Sequence, residues 1–141
     1  MKFIFTLLLV ATAITSKAQN NSSDQAITML KKFYTAYMSE FSSSHDLRVS
    51  EHNLLSLRQK YCTSTCLKQY QKLVEETDSD PLIKAQDSDK DLLKTLKIKR
   101  NLNKPNLYTV SYIAINDNNE KVIINLIVVN QRGLPKIASI E

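Results

Sequence analysis

From Leu107 to Asn130 the chain reads LYTVSYIAINDNNEKVIINLIVVN, with apolar and polar positions alternating along much of it. A period of two marks a strand that turns one face to a core. The stretch predicts a β-hairpin with arms Leu107–Asn116 and Glu120–Asn130. The residues between them, Asn116-Asp117-Asn118-Asn119, tolerate left-handed backbone and form side-chain turns. In the second arm Val122, Ile124, Leu126 and Val128 share the core face. On the other face Lys121 and Asn125 are polar but Ile123, Ile127 and Val129 are not, so that face is expected to be partly covered.

Upstream the period lengthens to three and four. Ile27, Leu30, Tyr34, Tyr37, Met38 and Phe41 make one apolar stripe, widened by Ala26, Met29 and Phe33, while Lys31, Lys32 and Glu40 fall off it. This predicts a first helix capped by Ser22 or Ser23, with Asp24 favourable to its dipole, ending near Phe41 and lying across the sheet. After a break at Ser42–Asp46, Ser50 is placed to cap a second helix, Glu51–Tyr61, with Leu54, Leu55 and Leu57 apolar. Thr63 or Ser64 caps a third helix running to about Glu76, with Leu67, Tyr70, Leu73 and Val74 inward. Pro81 disfavours helix at Asp80. From Leu92 the period returns to two, and Leu96, Ile98 and Leu102 alternate with Thr95, Lys97 and Lys99 as a first strand with one wet face. Asn103–Asn106 turns into the hairpin, Gln131-Arg132-Gly133 turns out of it, and Leu134–Ile140 is the last strand, with Pro135 suited to an edge. The expected architecture is α+β: three N-terminal helices packed on a four-stranded antiparallel meander.

The chain opens MKFIFTLLLVATAITSKA. A short basic start, an apolar run and a small-x-Ala ending read as a secretory signal peptide cleaved after Ala18, leaving one domain, Gln19–Glu141. The apolar run is shorter than the ~20 residues of a membrane-spanning helix, and no later segment reaches that length. No cysteine lies near the cleavage point, so no lipoprotein anchor is expected. The expected location is secreted or periplasmic. The net charge of +5 includes Lys2 and Lys17 of the leader, a mild balance that gives no reason to expect nucleic acid as a partner.

One glycine, Gly133, excludes a phosphate-binding P-loop, a dinucleotide fingerprint and a nucleophile elbow, which all require at least two. Asp87-Ser88-Asp89-Lys90-Asp91 imitates the start of an EF-hand loop, but Leu92 stands where glycine is required and Ile98 where glutamate is required. Cys62 and Cys66 lack a second ligand pair for zinc. In an oxidising compartment these cysteines are expected to form a disulfide, worth about 2 kcal/mol for so small a loop. Buried free thiols and a redox role are the other readings. His45 and His52 lie beside Asp46 and Glu51, but neighbours on a helix point apart. Lys94, Lys97, Lys99, Arg100 and Lys104 read as a solvated strand face or as a patch for an acidic partner. No catalytic residue, metal site or cofactor is expected.

Three pieces carry a resemblance: Phe33-Tyr34-Thr35-Ala36-Tyr37 in the first helix, Tyr61-Cys62-Thr63, and Asp80-Pro81 through Ala85-Gln86-Asp87. Over Asp24–Ile140 the chain resembles a family of uncharacterised secreted proteins of Gram-negative bacteria, a domain of unknown function with a cystatin-like or nuclear-transport-factor-2-like fold. It departs from that pattern at Leu134-Pro135, where an aromatic is expected. The resemblance implies a curved sheet around the first helix with a conical pocket between them. Tyr34, Tyr37, Gln86, Asp87 and Tyr112 are the residues expected to bind a ligand there. Ketosteroid-isomerase-like enzymes share the fold, but their catalytic Asp and Tyr have no match here, and fold alone does not fix function. The expected function is a binding or protein-interaction module for an unknown small ligand or protein partner. The alternatives are a pocket enzyme of the isomerase, dehydratase or hydrolase kind, which needs a buried carboxylate among Asp80, Asp87 and Asp89, and an inhibitor or immunity-type protein, which needs a filled core.

Overall fold

The computed structural model describes residues 13–84, 90–114 and 119–141, with side chains from Gln25 onward except that of Lys90. Three helices lead: α1 Ala13–Phe41, α2 Leu47–Tyr61 and α3 Ser64–Thr77. A 3₁₀ helix, Lys90–Thr95, precedes four strands: β1 Lys97–Arg100, β2 Leu107–Ile113, β3 Lys121–Gln131 and β4 Leu134–Ile140. The strands form one antiparallel sheet in the order β1-β2-β3-β4, so the expected α+β meander is the observed one.

α1 crosses the sheet from edge to edge, packing on β1 at one side and β4 at the other. Its stripe supplies Ala26, Met29, Leu30, Phe33, Tyr34, Tyr37 and Met38 to the core. The sheet answers with Tyr108, Val110 and Tyr112 of β2 and Ile124, Leu126 and Val128 of β3, alternating positions as period two requires. The opposite sheet face is partly covered, as expected: Ile127 and Val129 are half-buried, while Ile123 is exposed. There the Thr109 hydroxyl donates to Asn125 Oδ1 across the strands.

Several boundaries differ from expectation. α1 is already helical at Ala13, so Ser22 and Ser23 lie inside it rather than at its cap. Nothing between Ala13 and Ser23 is proline or glycine, so the backbone ladder continues through residues that would serve as caps elsewhere. α2 starts earlier, at Leu47, because Asp46 is its cap and accepts from the Arg48 N–H at 2.9 Å. Ser50 instead donates to the Glu40 carbonyl, tying α2 to the end of α1. Leu55 faces solvent, while Leu54 is buried. The first strand is only four residues long, because the chain ahead of it winds into the 3₁₀ turn and Leu102 beyond it is fully exposed. Of the two expected caps for α3, Thr63 is the one used, accepting from the Cys66 N–H, and Ser64 is the first helical residue. In the central hairpin most of the expected turn lies outside the described residues; Asn119, its last member, is left-handed at φ 56°. A second turn places Gly133 at φ 82°.

Candidate functional site

After α3 the chain is stopped by a left-handed cap, Asp78, whose N–H reaches the Val74 carbonyl. It then dives beneath α1. Asp80, Pro81, Leu82 and Ile83 are all buried, Leu82 and Ile83 completely. Three tyrosines from two elements hold this segment. Tyr34 donates to the Leu82 carbonyl at 2.9 Å, Tyr112 donates to the Ile83 carbonyl, and Tyr37 donates to Asp80 Oδ2 at 2.7 Å. Buried backbone carbonyls and hydroxyls must find partners, and here each supplies the other's need.

These are three of the five residues expected to bind a ligand, and the structure does bring Tyr34, Tyr37 and Tyr112 together. What they surround is the chain itself, with Leu82 and Ile83 occupying the space between helix and sheet. A ligand role for these hydroxyls would require that segment to leave. The other two, Gln86 and Asp87, lie outside the described residues, as does Asp89.

Asp80 anchors the segment and has two partners that sequence reasoning did not join to it. Its Oδ2 also accepts from Tyr70 of α3 at 2.7 Å, and its Oδ1 accepts from the Leu82 N–H at 2.8 Å. Arg58 of α2 donates through Nη1 to both phenol oxygens, at 2.6 Å to Tyr37 and 3.1 Å to Tyr70. Its Nη1 lies 4.0 Å from Asp80 Oδ2, and its guanidinium stacks 4.5 Å from the centre of the Tyr70 ring. The charges are thus joined in relay: guanidinium to phenol oxygen, phenol proton to carboxylate. Burial, and after it the Asp80 charge, push the Tyr34, Tyr37 and Tyr70 phenols well above their ordinary range, and push Tyr112 up to about 12. Burial alone would weaken the Arg58 cation, but its tyrosine and Asp80 neighbours outweigh this and hold its pKa above the ordinary value. One signal for Arg58 was present in the sequence. It occupies the helical face shared by Leu54 and Tyr61, where a charge needs a buried partner.

The network floors a cleft of about 860 Å³ between α2 and α3. Its walls include Phe41, Leu47, Leu54, Leu55 and Val74, and its rim carries Arg48, Glu51, His52 and Asp78. Among the described residues, the Arg58 Nε and Nη2 groups meet no acceptor. His52 is exposed, and His45 pairs with Glu40 at 2.9 Å rather than with Asp46 or Glu51. That hydrogen bond keeps the Glu40 carboxyl below its ordinary value. The basic residues near β1 also disperse: Lys94 pairs with Asp91 at 2.7 Å, Arg100 donates to the Pro105 carbonyl, and Lys97 and Lys99 lie exposed on the strand.

The expected disulfide is not formed: Cys62 and Cys66 are free, buried thiols. Each is held by a different element. Cys62 is the extended cap of α2 and bridges to Ile137 of β4, while Cys66 sits in the first turn of α3. The neighbouring Cys66 thiol, together with burial, pushes the Cys62 thiol up. Among the described residues no group of three or more His, Cys, Asp or Glu could hold a metal ion, and no helix is long and apolar enough to cross a membrane.

No family model matches the chain, and no curated protein does. Among solved structures it is similar to a protein of unknown function from Bacteroides thetaiotaomicron VPI-5482, with 30% identity and a TM-score of 0.79 over 91% of this chain and 98% of the other. Identity at that level over nearly the whole of both chains means that this chain belongs to the same family as that Bacteroides protein.

Proposed function

We propose that this chain is an exported, non-catalytic interaction module that seats an apolar segment of a partner protein in the cleft between α2 and α3. The observation that carries the reading is where space lies. The interior between α1 and the sheet is taken up by Leu82 and Ile83, while the cleft offers apolar walls open to solvent, with Leu47 and Leu55 exposed by 74% and 43%. An apolar centre, a tyrosine and an arginine at the floor and a rim of both charge signs match the anatomy of protein interfaces. The spare donors of Arg58 suit main-chain carbonyls or a carboxylate of the bound segment. Export rests on the leader Met1–Ala18. The first buried side chain described in α1 is Ala26, so cleavage after Ala18 leaves that helix's described core face intact. A helix laid across a meander also supports kinship with cystatin-like and nuclear-transport-factor-2-like folds.

A pocket enzyme is the second reading, favoured by one observation: Asp80 is a buried carboxylate at the cleft floor. Its oxygens already accept two phenol protons and a backbone N–H, which suits a structural anion better than a general acid or base.

Site-specific photo-crosslinking separates these readings. A benzophenone amino acid replacing Leu55 is expected to trap a polypeptide in the producing cells, and the same group at Leu102, which is 96% exposed and outside the cleft, is not. Absence of a polypeptide adduct at position 55, or equal trapping at positions 55 and 102, would overturn the proposal.

A further inference from the structure

A second cleft, of about 600 Å³, opens where α1, the end of α2 and the start of β4 meet. Its apolar surface comes from Met29, Tyr61, Leu134 and Pro135, and Leu134 is left 63% exposed. Lys32, Lys60 and Lys136 surround that surface, and no carboxylate lines it. None of the three makes an ion pair with a described residue. Two of them are positioned by the fold. Lys136 donates through Nζ to the Lys60 carbonyl in the last turn of α2, and the Lys60 ammonium lies 5.3 Å from the centre of the Tyr61 ring. Three like charges around an uncovered apolar wall repel one another, and an anion with an apolar body relieves both features at once.

We infer that this cleft binds an amphipathic monoanion of the fatty-carboxylate class. The head group sits among Lys32, Lys60 and Lys136, and the aliphatic body lies along Met29, Tyr61, Leu134 and Pro135. The volume falls in the range of small-molecule sites. The site uses no residue of the α2–α3 cleft and stands independently of the function proposed for it.

Calorimetric titration of the purified protein with octanoate, decanoate and dodecanoate, each below its micelle-forming concentration, tests the inference. Saturable one-to-one binding is expected, tightening by about fourfold for each methylene that becomes buried. Added salt should weaken it. The triple variant Lys32→Gln/Lys60→Gln/Lys136→Gln should lose at least about tenfold in affinity, because it removes the charge that the head group meets. A control triple variant, Lys31→Gln/Lys97→Gln/Lys99→Gln, carries the same charge change away from the cleft and should bind as the parent does. The substituted lysines are exposed or half-exposed, so both variants should keep the parent's circular dichroism. The inference is overturned if dodecanoate fails to saturate, if the first variant retains parental affinity or the second loses it equally, or if inorganic phosphate or tetraglutamate binds as tightly as dodecanoate.

Discussion

Arg58 and Asp80 are separated by 4.0 Å and two phenols, and each would be costly to bury alone. Tyr37 and Tyr70 let the pair share charge without direct contact, each accepting from the cation and donating to the anion. Removing the anion strands the cation. Asp80→Ala is therefore expected to cost about 3–5 kcal/mol in urea unfolding, well above the few tenths of a surface substitution. The phenols set a limit on alkaline stability. A folded pKa above the unfolded value means that the native state holds its proton more tightly than the unfolded chain. Stability from Tyr112 is thus complete below about pH 10, the unfolded value, and is lost as pH rises toward about 12. Tyr34, Tyr37 and Tyr70 shift in the same direction and extend the loss upward. Unfolding monitored against pH together with tyrosinate absorbance should show ionisation of these four groups accompanying loss of structure. Titration of all six tyrosines near pH 10 with the fold intact would contradict the buried network.

At the level of elements, the ends carry information that the periodicities do not. α2 is capped by Asp46 rather than Ser50 because the Asp46 side chain turns back onto the Arg48 N–H. Asp46→Ala is expected to cost about 1 kcal/mol, and Ser50→Ala only a few tenths, since Ser50 makes one long bond of 3.4 Å to Glu40. Equal effects of the two substitutions on the thermal midpoint would place the cap elsewhere. β4 contains a second such detail. Ile137 and Ile140 are both buried although three residues apart, which a regular strand cannot arrange. The register against β3 shifts between Ile127 and Val128, so that Ile127 pairs with Ser139 but Val128 with Ile137, and Ala138 is the extra residue. This bulge turns both isoleucines inward and leaves Leu134 at the rim of the lysine cleft.

Across the whole molecule, the segment Asp80–Ile83 joins the layers. It is held by α1 through Tyr34 and Tyr37, by α3 through Tyr70 and by the sheet through Tyr112, and its two aliphatic side chains complete the core. Leu82→Ala removes one of them from full burial and should cost about 2–5 kcal/mol in chemical denaturation. A cost under 1 kcal/mol would mean that the segment is not part of the cooperative core.

Periodicity determined much of this protein from sequence alone. The order of helices and strands, the apolar stripe of α1, the alternation in β2 and β3, and the cap at Thr63 all follow from contacts between near neighbours, whose geometry repeats every two or 3.6 residues. The same reading turned Tyr34 and Tyr37 of α1 inward, while Tyr112 entered through the family resemblance. Only the tertiary structure decided what those groups meet. Tyr37 and Asp80 are 43 residues apart and Tyr112 and Ile83 are 29 apart, and no local rule specifies such pairings. It likewise placed Arg58 against Tyr70, left the two cysteines as thiols on separate helix ends, and gathered Lys32, Lys60 and Lys136 from three elements around one cleft. Local spacing fixes which way a side chain points, but its partner is fixed only when distant segments are packed together, because burial selects among the many pairings that the chain could make.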